Sequence, residues 1–437
     1  MNTLHSARQA WEACASVRAT RRRLKNFTYG RQWDDPTVTA KGERVSEGEY
    51  AVRMGRRPLT NNLLRSLVKC VVGRFRQEIV NRRAAAQADG DGMSPRLGRI
   101  YASNRLDELD ARAMEEFLIS GCAIQKVSYE RRFEGEQVWV DNVNPDLFFC
   151  NRYLDPRGHD IRLVGMLHEM SQAEMRMRFA HNNRRRQREI AQVFARAVST
   201  NASSGILADV LGGGGSDVMF GSSSDPSRCR VIEVWSFDDE GRSAGTWHGR
   251  FYTPDGTLLD ETPSPYPHGS HPFVVSLYPL TDGEVHPFIE DVIDQQRHIN
   301  HIISMIDQIL AHTAKGTLLY PVDAMVDGVP MEEVVRLWSR PGAVIPISPR
   351  ATQMPTEIIS PGRSEGASLL LDLEMKMMQQ ISGVSTALQG QSIGNNASAS
   401  LYQTQVQNSA VALLDIFETF NSFRNARDTK ALAILTR

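Results

Sequence analysis

Hydrophobic residues recur at helical spacing in several long runs, and between them the period shortens to that of strands. Residues 4–26 carry only Trp11, Val17 and Leu24 among basic side chains, which predicts a basic helix. A turn-rich stretch, Tyr29–Pro36, follows. Thr60 or Asn61 then suits the N-cap of a second helix. Leu63, Leu64, Leu67, Val68, Val71, Val72, Phe75 and Ile79 keep its period to about Val80. Its other face carries Arg65, Lys69, Arg76 and Arg83, either a solvated face or one that meets an acidic neighbour. Ala84–Gly92 reads as a small, polar linker. Leu106, Leu109, Ala113, Phe117 and Leu118 predict a third helix over about 104–121. Strand-like runs follow at Ala123–Tyr129 and Val138–Val143, and Asn144-Pro145-Asp146 turns the chain out of a sheet. Ser171 and Glu174 have capping-box spacing, so a helix starts there.

The second half opens with a change of texture. Arg184, Arg185, Arg186 and Arg188 form a basic cluster, and Gly212–Gly215 with Ser222–Ser224 mark a mobile insertion. No phosphate-loop spacing accompanies these glycines. Val231–Phe237, Gly249–Thr253 and Phe273–Tyr278 read as strands. Pro287 suits the first turn of a long helix, with Glu290, Asp291 and Asp294 at its positive end. Val292, Ile299, Ile302, Ile303, Ile306, Ile309 and Leu310 carry its apolar stripe to about Thr313. A proline-rich module follows at 317–361, with a short helix at Met331–Trp338 and a strand-like piece at Ala343–Ile347. Ser364 caps a second long helix bearing Leu370, Leu373, Met377 and Ile381. A Gly/Asn/Ser stretch, Gly383–Ser398, separates it from a third helix that runs from Ala399 towards the end. The fold class is α+β.

Composition changes this picture in three ways. At 437 residues, 41% hydrophobic and 23% charged, the chain is large enough for two or three domains and is neither disordered nor a disulfide scaffold. No run is apolar enough to span a bilayer, and the N-terminus lacks the order of a signal peptide. Five scattered cysteines fit reduced thiols of a cytosol. Second, 43 of the 50 basic residues are Arg, a side chain suited to fixed pairs between surfaces. Third, charge is segregated. Residues 1–85 hold 18 basic and 7 acidic side chains, whereas 281–380 hold 7 basic and 14 acidic ones. From Met377 through Leu414 there is no charged side chain at all, yet Gln, Asn, Ser and Thr abound. Such a surface can face a polyanion without gripping its phosphates.

No catalytic constellation emerges. His298 and His301 lie one turn apart on the first long helix but have no third metal ligand, and read as polar-face histidines. Asp291 and Asp294 are helix-start acids, and Cys150 is a buried small hydrophobe. No metal or cofactor is expected, and the chain reads as no enzyme.

The order of parts from Val231 to Arg437 resembles a tailed-bacteriophage portal protein of the short-tailed type. The phrases that carry the likeness are Pro272-Phe273-Val274-Val275, the helix entry His286–Asn300 with its Asp-x-Gln-x-x-x-Asn pattern, the proline-rich module and the uncharged loop. Upstream, Val143–Phe149 resembles a phrase of the portal wing. The resemblance covers about residues 55–437.

What it implies is a portal-type fold. An N-terminal basic region and α/β wing would span 1–285, stem helix 1 286–316, a small α/β clip 317–361 and stem helix 2 362–382. A tunnel loop would span 383–398, and a long kinked wing helix 399–437. The crown of other members is then absent or truncated here. In the loop, Gly390, Gln391, Ser392, Asn395, Asn396 and Ser398 would face DNA. In the clip, Val326, Asp327, Glu332, Glu333, Trp338 and Arg340 would dock motor and adaptor. In the stem, Asp294, Gln295, Asn300 and Asp307 would hold structural positions. The implied assembly is a ring of about twelve subunits at one capsid vertex of the virion, assembled in the host cytoplasm. It would pass double-stranded DNA and meet the terminase large subunit, a head–tail adaptor, and the major capsid and scaffold proteins, with no membrane. Two other readings stay open: a non-enzymatic DNA-binding protein using the basic N-terminal region, and another phage head–tail adaptor ring.

Overall fold

The computed structural model describes residues 3–88, 94–132, 135–180, 183–210, 220–223, 225–238, 245–278, 280–281, 283–313, 317–326, 328–338, 344–358, 365–384 and 411–435. The predicted basic helix is two helices, α1 (Thr3–Ala13) and α2 (Ala15–Thr28), divided at Cys14. A short hairpin, β1 (Pro36–Val38) and β2 (Arg44–Ser46), leads into α3 (Glu47–Arg53), which Ser46 caps. Helix α4 (Leu63–Ala88) runs through the first half of the expected linker, and its cap is Asn62 rather than Thr60 or Asn61. The expected third helix is α6 (Leu106–Ser120), and an unexpected helix, α5 (Pro95–Asn104), precedes it, the two divided where Arg105 takes a left-handed backbone.

Strands β3 (Cys122–Arg132) and β4 (Gly135–Asn142) form a hairpin, and short β5 (Phe148–Cys150) and β6 (Leu163–Met170) follow. Ser171 and Glu174 make the full capping box that starts α7 (Gln172–Phe179). The basic cluster opens α8 (Arg184–Val210). Of the expected insertion, residues 212–215 and Ser224 lie outside the described residues. Next come β7 (Cys229–Asp238), β8 (Thr246–Tyr252), β9 (Leu258–Pro263), β10 (Phe273–Leu277) and the two-residue pair β11 (Leu280–Thr281) and β12 (Glu284–Val285).

The first long helix, α9, spans Ile293–Thr313 behind a 3-10 turn at Glu290–Val292. Pro287 therefore precedes the helix instead of sitting in its first turn. The proline-rich module holds β13 (Thr317–Leu319), α10 (Met331–Trp338) and β14 (Thr356–Ile358). Its real hairpin joins its two ends, Leu318 opposite Glu357, and residues 344–347 form no strand. The last helices are α11 (Glu365–Ser382) and α12 (Leu414–Leu435). Ser364, expected as a cap, lies outside the described residues, as does the stretch 385–410.

The chain divides into two compact units. The larger comprises residues 1–31, 62–293 and 379–437. It contains a five-stranded antiparallel sheet ordered β5-β6-β7-β8-β9 and a three-stranded one ordered β10-β3-β4. Trp11 and Ala7 of α1 pack on Phe149, Leu167 and Ile232 of the larger sheet. Ile190, Val193 and Ala197 of α8 pack on Val231, Phe251 and Leu259 of the same sheet. Phe417, Phe420 and Phe423 of α12 join Phe75 and Phe117 in an aromatic cluster. Gly121 ends α6 at φ +67°, where a side chain would also collide with Val285 and the Tyr278 carbonyl.

This unit also buries charge. Asp110 and Arg427 are fully buried and paired, and Arg424 Nε reaches Asp110 at 2.8 Å. Arg427 also donates to the Tyr101 hydroxyl at 2.8 Å, which in turn donates to Asp428. Glu233, 1% exposed, takes Lys126 at 2.7 Å, His168 at 2.6 Å and the Trp235 indole N–H at 2.9 Å. Burial alone would raise the Glu233 carboxyl, but Lys126 and His168 hold it well below its ordinary value. Buried ion pairs of this kind cost about 3–5 kcal/mol when one partner is removed.

The smaller unit comprises residues 32–61 and 294–378. It contains the β1–β2 hairpin, α3, most of α9, the proline-rich module and most of α11.

Candidate functional site

In the smaller unit, the helix α9 carries a seam of buried amides. Asn300, 1% exposed, accepts a hydrogen bond from the Asn61 backbone N–H at 3.0 Å. Its amide nitrogen donates to Gln32 Oε1 at 2.6 Å. One turn earlier, Gln296 Nε2 donates to the Asn61 carbonyl at 2.7 Å and to Asn300 Oδ1 at 3.1 Å. One turn later, Ser304 Oγ accepts from the Leu59 N–H at 3.0 Å. The i, i+4, i+8 spacing puts all three side chains on one face of the helix. There they satisfy backbone groups of the 59–61 segment, which has no sheet or helix partner of its own. Arg297, on the same helix, pairs with Glu47 of α3.

Against this seam lies a pocket of about 230 Å³, lined by Trp33, Tyr50, Met54, Arg56, His301 and Met305 among others. The His301 ring stands edge-on to Trp33 at 4.8 Å. Burial lowers its pKa despite the nearby Glu47 carboxylate. His298, one turn earlier, meets Glu374 of α11 at 2.9 Å, which links the two long helices. Among the described residues, no group of three or more His, Cys, Asp or Glu side chains could hold a metal ion.

Side-chain bonds help to close the proline-rich module. Tyr320 donates its hydroxyl hydrogen to the Pro346 carbonyl at 2.7 Å, and the Thr352 N–H donates to Asp323 at 2.8 Å. Val334 is the buried anchor of α10. Val322, Val344 and Met354 stand 73–85% exposed, which leaves an apolar surface on the module.

Of the expected stem residues, Asn300 is central to the seam, while Asp294 and Asp307 point to solvent and Gln295 is half-buried. Sequence reading named Gln295, but the buried amide is its neighbour Gln296; the spacing to Asn300 was the available signal. Of the expected clip residues, Glu332, Glu333 and Trp338 lie together on α10, where Glu333 pairs with Arg336 at 2.5 Å. Val326 is half-buried in the loop before it. Asp327 and Arg340 lie outside the described residues. So do all six loop residues, Gly390, Gln391, Ser392, Asn395, Asn396 and Ser398.

The N-terminal basic excess is partly spent inside the larger unit. Arg21, 3% exposed, pairs with Glu116 at 2.6 Å and Asp146 at 2.5 Å. Arg18 stacks over Trp11 at 3.6 Å. Arg65 of α4 pairs with Glu115 of α6, whereas Lys69 and Arg76 on the same helix are exposed.

A family model of phage P22-like portal proteins matches residues 4–434, nearly the whole chain. The chain belongs to the phage P22-like portal protein family. A search of curated proteins finds no match. As a portal protein, it is a bacteriophage head–tail connector that serves genome packaging. Membership brings an oligomeric ring associated with capsid and terminase, at the capsid vertex of the virion. Portal proteins are structural. No helix among the described residues is long and apolar enough to cross a membrane. The portal identity takes precedence over a free DNA-binding protein or a smaller adaptor ring.

Proposed function

We propose that α9 and α11 are the two stem helices of the ring subunit and that the module between them is its clip. One observation carries this reading. Leu369, Leu373 and Met377 recur every fourth residue along α11 and are 71%, 52% and 38% exposed. Met305 and Leu310 are likewise exposed on α9. An apolar row on a helix of a single subunit needs a cover, and a head-to-tail contact that closes into a ring supplies one from the next subunit.

In the same reading, residues 1–285 hold the basic region and wing, and 399–437 hold the kinked wing helix. The loop 383–398 lines the narrowest part of the channel. The clip, with Glu332, Glu333 and Trp338 on α10 and the exposed Val322, Val344 and Met354, docks the terminase large subunit and later a head–tail adaptor. Capsid and scaffold proteins meet the ring elsewhere. Twelve subunits are the expected number, and the virion is assembled in the host bacterial cytoplasm.

Native mass spectrometry with electron-microscope class averages tests the core of this. The wild-type chain should give closed rings of one size with a central hole. Leu369→Glu with Leu373→Glu should leave subunits or open arcs, with the circular dichroism melt of the subunit unchanged. Closed rings from that variant would sink the stem assignment.

A further inference from the structure

Residues 176–188 hold six arginines, Arg176, Arg178, Arg184, Arg185, Arg186 and Arg188, and no Asp or Glu. Two of the six serve the fold. Arg186 donates to the Leu259 carbonyl at 2.5 Å, and Arg178 lies over the Phe251 ring at 4.8 Å. Arg185 is shared with Glu189, at 3.2 Å, but its side chain is 89% exposed. Arg176, Arg184 and Arg188 are exposed and form no ion pair among the described residues. Arg184 and Arg188 stand one turn apart, and Arg185 lies three residues before Arg188, so they share a face of α8.

The patch is held on a rigid base. Ile190, Val193 and Ala197 anchor α8 on the five-stranded sheet, and Asn183 caps its start by accepting from the Arg185 N–H at 2.9 Å. The positive end of a 27-residue helix therefore adds to the arginine charge. Guanidinium forks suit phosphate oxygens better than ammonium groups do. Nothing in the seam or the clip uses this surface.

We infer that the exposed face of α8 formed by Arg184, Arg185 and Arg188 is a binding surface for the phosphate backbone of duplex DNA. It rests on the portal reading for the presence of duplex DNA as the polyanion. Sequence specificity is not expected, because phosphate contacts carry no sequence information. Such a grip would brake DNA in transit, so the surface is assigned to duplex held at rest.

The test uses the full-length protein and a fluorescent duplex of about 20 bp, with anisotropy read across a salt series. The variant Arg184→Gln/Arg185→Gln/Arg188→Gln should bind at least about tenfold more weakly at low salt. Its log–log salt slope should be shallower by about 2 to 3, at about 0.9 per lost phosphate contact. The control Arg96→Gln/Arg99→Gln, on exposed arginines of α5, should leave the slope unchanged.

An unchanged slope in the triple variant overturns the inference. So does an equal loss in the control, which would mean net charge alone. Displacement of the duplex by polyglutamate at matched charge would also overturn it, in favour of an acidic protein surface. Ring closure is scored separately. Rings that lack patch-dependent binding refute this inference alone, and patch-dependent binding by a chain that forms no ring refutes the portal assembly alone.

Discussion

Lys430 sets a cost that the rest of α12 must offset. Its ammonium donates to the carbonyls of His271 at 2.8 Å and Phe273 at 2.6 Å, with no carboxylate paired to it among the described residues. Burial pushes its pKa down to about 7. The neighbouring imidazoles follow the same rule: burial takes His268 to about 4 and His271 well below its ordinary value. The unfolded chain keeps Lys430 protonated up to about pH 10.4. Between about pH 7 and that value the unfolded state therefore binds the extra proton, and stability rises with pH. Below pH 7 both states are protonated and the burial cost is felt in full. A Lys430→Met variant removes this dependence. Chemical denaturation of both proteins at a series of pH values should show wild type gaining on the variant as pH rises from about 7 to 10. A constant difference between them over that window would show that the amine is not titrating in the fold.

Individual elements differ in how far the local sequence announces them. The Ser171–Glu174 capping box, the α4 stripe and the β3–β4 and β7–β8 strands were legible, because each depends on residues within a few positions of one another. Hairpin β1–β2 was not: its strands have three residues each and bury none fully, so no alternation marks them. The break at Cys14 interrupts a helical pattern that continues on both sides, so the period hides it, whereas α5 went unread because its ten residues bury only Ile100, Tyr101 and Asn104. The seam on α9 was half legible. The Asp-x-Gln-x-x-x-Asn spacing pointed to one helix face, but the partners Gln32, Leu59 and Asn61 lie more than 200 residues away. That long reach gives the seam its consequence. An Asn300→Leu substitution strands the Asn61 N–H, at about 1–3 kcal/mol for a buried unsatisfied group. Hydrogen exchange read by mass spectrometry should show amides of residues 32–61 losing protection first, with the β7–β8 strands unchanged. Protection that falls evenly over the whole chain, or not at all, would remove the seam as the tether of this segment.

For the molecule as a whole, the distribution of charge is the fact that links sequence to work. Arginine is concentrated at the N-terminus and on α8, where part of it is neutralised by α6 and part is exposed. The stretch 377–414 is free of charge, and it includes the proposed channel loop. A ring that grips phosphates with every subunit would hold the duplex by counterion release and resist its passage. Amide and hydroxyl side chains instead offer hydrogen bonds that exchange with water at little net cost. Asn395→Lys with Asn396→Lys places two new cations per subunit in that loop, all at one level of the ring. Packaging in assembled heads, followed as protected DNA against time, should slow at low salt and recover as salt screens the new charge. Asn395→Asp with Asn396→Asp disturbs the same positions with the opposite sign, so slowing confined to the lysine pair isolates charge from loop damage. Equal rates for wild type and the lysine pair, in heads whose rings are intact, would move the channel constriction to another part of the chain. The absence of charge from 377–414 would then need a cause unrelated to DNA.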